Sequence, residues 1–327
     1  LLNENARRHP QRIVFTEGDN YRILKAAEIL INNGVAKPIL LGSKEKMAAI
    51  IEEYQLELQE AEFIDVTTDS AGREEYAAQM YEFRKRRGWT MGECRSKIKS
   101  REYYGNMMLR DGAADALISG LTVKYPTALR PILRIIGMEE GMRKAAGMYI
   151  LLSKRGPMFF ADTTINLDPT VEDLVQMVLN VADTVKRTNI TPKVALLSYS
   201  NFGSSNGPDA RKMAQASSIL RKEHPDLIVD GEMQANFALE PELLKESFPF
   251  SDLVGHQANV FIFPNLAAGN ITYKMLQSFG AAEAIGPMLI GTKSSAHVLQ
   301  LGASVREIVN MATLAAVDAR NRKVKKG

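Results

Sequence analysis

Four stretches of this chain join side chains able to hold an anion to the Gly, Ser, Asn or Pro of a tight turn. The first, residues 196–208, leaves an apolar run into Ser198-Tyr199-Ser200-Asn201-Phe202-Gly203-Ser204-Ser205-Asn206-Gly207 and then meets Pro208. A strand that ends in such a loop and re-enters a helix offers backbone N–H groups and hydroxyls to a negative group. Ser200, Gly203 and Ser204 are its candidate contacts. The stretch is neither a P-loop nor a dinucleotide fingerprint, and an ordinary β–α turn has the same composition. The second, residues 261–274, runs from Phe261-Ile262-Phe263-Pro264 into a helix whose first turns carry Asn270, Tyr273 and Lys274. Ligands of open α/β sheets sit outside the carboxyl ends of strands, yet capping and turn chemistry account for these residues equally well.

The third stretch, residues 119–131, follows a strand, so Thr122, Lys124, Thr127 and Arg130 are placed to line an oxyanion pocket. The fourth is Arg84-Lys85-Arg86-Arg87-Gly88-Trp89. Such a charge run is either the solvated end of a helix or a holder of polyphosphate. Other chemistries are absent. His9, His224, His256 and His297 lie far apart, with no His or Cys at ligand spacing, which argues against zinc. Cys94 has no assignable base and reads as a bland thiol. Neither a G-x-S-x-G elbow, nor H-E-x-x-H, nor a kinase signature is present.

The elements that must position these residues alternate. Arg12-Ile13-Val14-Phe15-Thr16 reads as a strand ending at Glu17-Gly18-Asp19, and a helix with Ile23, Leu24, Ala27, Ile29 and Leu30 follows. Further strands are predicted at 38–42, 62–66 and 114–120, with charged helices over 70–87 and 91–111. This repetition means a mostly parallel sheet with helices on both faces. Beyond Gly147 a hairpin is predicted from 148–153 and 158–162, with Gly156-Pro157 between them. Asp168-Pro169 is expected to open a helix as N-cap and first residue. A second α/β series then runs to 284–290, and a last helix spans about 304–322. Two lobes are therefore expected, 1–147 with 291–327 and 148–290. The 327 residues, 45% hydrophobic and 24% charged, suit a soluble globular chain of that size. No apolar run reaches the roughly 18 residues of a membrane span. A net charge of +3 spread over the chain argues against a dedicated nucleic-acid binder. The lone cysteine points to a reducing, cytoplasmic setting. The chain opens Leu1-Leu2-Asn3 without initiator Met or signal-peptide h-region, which favours a piece of something larger. Arg320, Arg322, Lys323, Lys325 and Lys326 are expected at the solvated end of the last helix.

Several blocks follow one another in the order seen in the phosphate acetyl/butyryltransferase family. They are residues 12–19, Arg84-Lys85-Arg86-Arg87-Gly88, Leu129-Arg130-Pro131, Asp168-Pro169-Thr170, Asp230-Gly231-Glu232-Met233-Gln234, Phe261-Ile262-Phe263-Pro264, Gly269-Asn270-Ile271-Thr272-Tyr273-Lys274 and Ala284-Ile285-Gly286-Pro287. The chain resembles that family over almost its whole length. The resemblance implies a two-lobed, isocitrate dehydrogenase-like fold, a homodimer, and coenzyme A meeting acetyl phosphate in the interlobe cleft. Family enzymes carry Leu-Ser-Arg-Gly before the last helix and a catalytic Asp shortly after; here Leu299-Gln300-Leu301-Gly302 puts Gln300 and Leu301 at the Ser-Arg positions, and Glu307 at that of the base.

His297-Val298-Leu299-Gln300 with Gly302-Ala303-Ser304-Val305-Arg306 is similar to the C-terminal phosphotransacetylase-like domain of bacterial multimodular malic enzymes. That resemblance implies a catalytically weak regulatory domain that binds acetyl-CoA as an inhibitor and supports oligomerisation. NADP, a divalent metal and malate decarboxylation would belong to an N-terminal part. An active phosphate acetyltransferase and a purely structural oligomerisation domain remain as the alternatives.

Overall fold

The computed structural model describes residues 6–280 and 283–326. Leu1-Leu2-Asn3 and the side chains of Lys325 and Lys326 lie outside the described residues. The chain divides into two compact units, Leu1–Glu140 with Thr292–Gly327, and Gly141–Gly291.

The first unit is built on β1 (Gln11–Phe15), β2 (Ala36–Leu41), β3 (Glu62–Ile64), β4 (Ala116–Ser119) and β11 (Ser295–Val298). Their spatial order is β11-β4-β1-β2-β3, and every pairing is parallel. All four residues of β4 are buried, as expected of a strand covered on both faces and therefore continuously apolar. Helices α1 (Tyr21–Asn32) and α12 (Val305–Lys326) pack on each other, α1 against β2 and α12 against β1 and β11. Helices α5 (Arg101–Asp111) and α6 (Tyr125–Ile135) form a second pair against β4 and β11. Asn20 caps α1 by accepting the Arg22 N–H, and Ile23, Leu24, Ala27 and Leu30 turn inward at helical period.

The second unit has β5 (Ala146–Ser153), β6 (Gly156–Ala161), β7 (Lys193–Leu197), β8 (Ile228–Met233), β9 (Val260–Ile262) and β10 (Glu283–Ile290), ordered β10-β5-β6-β9-β7-β8. β10, β5 and β6 are antiparallel neighbours, and the rest of the sheet is parallel. The hairpin turns at Lys154-Arg155, since Gly156 and Pro157 already belong to β6. Among the described residues no helix is long and apolar enough to cross a membrane.

Three local expectations are corrected. The helix after Asp168 is α7 (Val171–Lys186), and its N-cap is Thr170. Thr170 and Asp173 form a reciprocal capping box, which satisfies two orphan groups where Asp168 would satisfy one. Asp168 instead pairs with Lys212 at 2.6 Å. The charged stretches break where local caps form. α3 (Ser70–Arg84) ends in a short 3₁₀ turn, Lys85–Arg87, closed by Gly88 in the left-handed region. The predicted 91–111 helix divides into α4 (Met91–Lys97) and α5, which restarts after Ser100.

Strand β11 was not anticipated, because Ser-Ala-His-Val is too polar to read as buried. It is nonetheless fully buried, and its polar groups find partners within the unit. Ser295 Oγ donates to the Ala315 carbonyl at 3.1 Å and stands 3.0 Å from His297 Nε2. Burial holds the His297 imidazole down to about 4, with Asp318 opposing and Arg322 assisting. An unfolded histidine titrates near ~6.5, so on acidification the unfolded chain takes up this proton first. The contribution of neutral His297 is therefore complete above pH ~6.5 and fades as pH falls toward ~4, by on the order of 3 kcal/mol. Melting temperatures of wild type and His297→Gln across pH 4.5–7.5 (about three pH units) check this. The variant should lose much of the acid slope, and parallel curves would exclude His297 as its source.

Candidate functional site

In the first unit the 119–131 stretch is organised around Glu17, which leaves the end of β1. Its carboxylate accepts the N–H groups of Gly120 at 2.9 Å, Leu121 at 2.8 Å and Thr122 at 2.6 Å. The Thr122 hydroxyl donates to it as well, at 2.6 Å. Glu17 is 6% exposed. The turn that looked ready for an outside anion thus wraps an inside one, and Thr122 is committed to it. Gly120 makes the wrap possible. It has φ near +100°, and a Cβ there would meet Val298 Cγ1 at 2.6 Å. Lys124 follows as the N-cap of α6, and Lys124, Thr127 and Arg130 are exposed. Neither Lys124 nor Arg130 forms an ion pair among the described residues.

The basic stretch resolves into one inward cation and several outward ones. Lys85 turns back to Glu82, whereas Arg84 is only 7% exposed. Its Nη2 donates to the Arg134 carbonyl, its guanidinium lies 5.2 Å from the Trp89 ring, and its Nε has no hydrogen-bond partner. Around it stand Arg110, 3.8 Å over the Phe83 ring, and Arg134, which donates to the Tyr103 hydroxyl at 3.1 Å. Burial lowers the Arg84 pKa, and Arg87, Arg134 and Arg110 push the same way. Among the described residues none of these four arginines has a carboxylate partner. Sequence reasoning found the run, Trp89 included, but missed Arg110 and Arg134, which come from α5 and α6.

In the second unit the Ser/Gly loop repeats the Glu17 device. Glu232, 2% exposed, accepts the Ser200 hydroxyl at 2.9 Å and the Gly203 N–H at 2.7 Å. Ser204 Oγ accepts the Asn201 N–H at 2.9 Å and lies 3.2 Å from Ser200 Oγ. Phe202 packs on Phe248 and Phe250 and closes the loop. The hydroxyls and the amide expected to receive a ligand therefore bind one another and Glu232. A third carboxylate, Asp162, gathers the N–H groups of Gly147, Thr164, Ile165 and Asn166.

Helix α11 (Leu266–Ser278) starts at Asn265, which caps it by accepting the Ala268 N–H. Asn270 donates to the Thr163 carbonyl at 3.1 Å. Tyr273 is a correction. It is 1% exposed and stacks on Tyr149, with ring centroids 4.0 Å apart, because the inward face of α11 belongs to the core. Lys274 is exposed, with its ammonium 5.3 Å from the Tyr273 ring.

The segment before α12 is tied to the Glu17 turn. Leu299 donates to the Ser119 carbonyl at 2.7 Å, and Gly302 to that of Leu121 at 3.1 Å. Leu301 is 62% exposed. Glu307 does not stand free, since its carboxylate accepts both the N–H and the hydroxyl of Ser304 at 2.8 Å. The Glu307 N–H returns to Ser304 Oγ at 3.3 Å. This is a capping box, with a carboxylate where the helix dipole favours one. Ser304-Val305-Arg306-Glu307 carried that signal in the sequence. Among the described residues no three His, Cys, Asp or Glu side chains gather as a metal site.

A family model described as phosphate acetyl/butaryl transferase matches residues 1–316. The chain belongs to that family. Relatives of two kinds match it. The NADP-dependent malic enzyme of Salmonella typhimurium is 39% identical over 319 residues, which is 96% of this chain but only 42% of the enzyme. The chain thus spans about two fifths of the malic enzymes it matches. The phosphate acetyltransferase of Clostridium acetobutylicum is 35% identical and is covered over 97% of both chains. Among solved structures, a phosphotransacetylase from Streptococcus pyogenes superposes with a TM-score of 0.90 at 32% identity, over 98% of this chain and 97% of that one.

Proposed function

We propose that this phosphate acetyl/butaryl transferase family member binds acetyl-CoA or a related coenzyme A thioester and acts as a regulatory unit with weak or absent acyl transfer. The observation that carries the reading is Arg84, a buried guanidinium with an open Nε, surrounded by arginines and, among the described residues, paired with no carboxylate. A buried, unneutralised cation is costly. A phosphate supplies the charge and the acceptors it lacks, and coenzyme A carries phosphates. Arg130 and Lys124 are exposed cations of the same unit and are read as further contacts.

Weak transfer is argued from the replaced positions. Leu301 brings no charge where the family resemblance expects Arg, and Glu307 is held by the cap of α12. Removing one charge-stabilising donor costs a rate factor of roughly 10²–10³. In a chain of the malic-enzyme kind, NADP, the metal and malate decarboxylation belong to the remaining polypeptide, and acetyl-CoA bound here inhibits them in a cytoplasmic homo-oligomer. The second reading, an active phosphate acetyltransferase, is favoured by the end-to-end similarity to the clostridial enzyme.

Two measurements on the protein decide. Calorimetry with acetyl-CoA should show saturable binding. Acetyl phosphate–coenzyme A exchange should run at least about a hundredfold below an active family member. Exchange within about tenfold of such an enzyme would establish the second reading, and absence of binding at millimolar acetyl-CoA would remove both.

A further inference from the structure

We infer that Glu17 is a positioning residue for the ligand-facing cations of α6, an inference that rests on the proposed coenzyme A site. Glu17 lies at the carboxyl end of β1, about a hundred positions before the residues it binds. It draws the N–H groups of three successive residues, Gly120, Leu121 and Thr122, and the Thr122 hydroxyl onto one carboxylate. No cation pairs with it among the described residues, so hydrogen bonds alone stabilise its buried charge.

What this fixes is the entry to α6. That helix has no side-chain cap, since its N-cap residue is Lys124. Its starting direction is therefore set by the turn before it, in which the N–H groups of Gly120, Leu121 and Thr122 go to Glu17. The carbonyls of the same turn are held from the other side, Ser119 by Leu299 and Leu121 by Gly302. Glu17 thus clamps one short turn between β1 and the segment before α12. Lys124, Thr127 and Arg130 lie at spacings of three along α6, so a rotation of its first turn moves all of them. A carboxylate is required because every group aimed at it is a donor. An amide in its place turns an NH₂ toward one of those donors and releases one arm of the turn.

The test is a double-mutant cycle on the folded protein, read by calorimetry with acetyl-CoA. Glu17→Gln should raise Kd by about tenfold in the wild-type background and by less than about twofold in the Arg130→Ala background, because its effect passes through Arg130. Glu17→Asp keeps the charge but shortens the reach. It should weaken binding by about fivefold with the same loss of effect in Arg130→Ala, and it serves if the Gln variant does not fold. Equal weakening in both backgrounds would make Glu17 a general structural residue and overturn the inference. So would wild-type affinity in both variants. If wild-type protein binds no acetyl-CoA, the underlying reading fails and this inference with it.

Discussion

Restoring Ser at Gln300 and Arg at Leu301 together should raise acetyl phosphate–coenzyme A exchange by about a hundredfold over wild type. The physical ground is local. Leu301 is largely exposed, so a guanidinium fits there without disturbing the core. The backbone on either side is already fixed, by Leu299 and Gly302 bonding to the Glu17 turn and by Arg22 donating to the Gly302 carbonyl at 2.6 Å. Arginine at this position neutralises phosphate charge in two parallel hydrogen bonds, which lysine cannot reproduce. Leu301→Lys with Gln300→Ser should therefore recover less than about a tenth of the gain. A double variant that binds acetyl-CoA normally yet exchanges no faster than wild type would show that these two positions are not what limits the rate.

Arg84→Met should move binding and stability in opposite directions. Methionine keeps the length and the packing on Trp89 but removes the charge. Loss of a charge-assisted contact to phosphate weakens acetyl-CoA binding by about ten- to a hundredfold. Relief of a buried cation without a counterion raises the melting temperature of the unliganded protein, since apolar replacement of buried charge is often stabilising by about 1–4 kcal/mol. Calorimetry and thermal denaturation on the same preparation check both. A variant that binds as tightly as wild type removes Arg84 from the site. One that loses stability along with affinity makes Arg84 a structural residue.

How much of this was legible in the sequence depends on how local each feature is. The first helix was readable from Ile23, Leu24, Ala27 and Leu30 because amphipathic period is a property of neighbours. The hairpin between 148 and 162 and the helix opening at Pro208 were readable from local turn and cap residues, although the hairpin turns at Lys154-Arg155 and not at Gly156-Pro157. The Glu17 and Glu232 clamps were not. Glu17 appeared only as the end of a strand, and its donors come from a turn at the carboxyl end of β4, about a hundred positions later in the chain. Strand β11 was hidden because Ser295 and His297 look polar until Ala315 and the interior of α12 are placed beside them. Arg84 was singled out of its run as a ligand contact, but not for a physical reason the run itself supplies, because the 3₁₀ turn decides which cation faces inward. Glu307 shows the opposite failure. A capping-box pattern was present at Ser304, and the family resemblance drew attention to a catalytic role instead.

The clamped turns have a consequence for how such a chain can change over time. A loop that relies on a substrate phosphate to hold its shape loses that shape when the groups that recruit the phosphate are lost. Here Glu17, Glu232 and Asp162 supply the negative charge from within, so each turn is complete before any ligand arrives. Drift at Gln300 and Leu301 is then uncoupled from folding. On the proposed regulatory reading, such a scaffold would lose turnover while keeping recognition, the order of events that makes a sensor out of an enzyme.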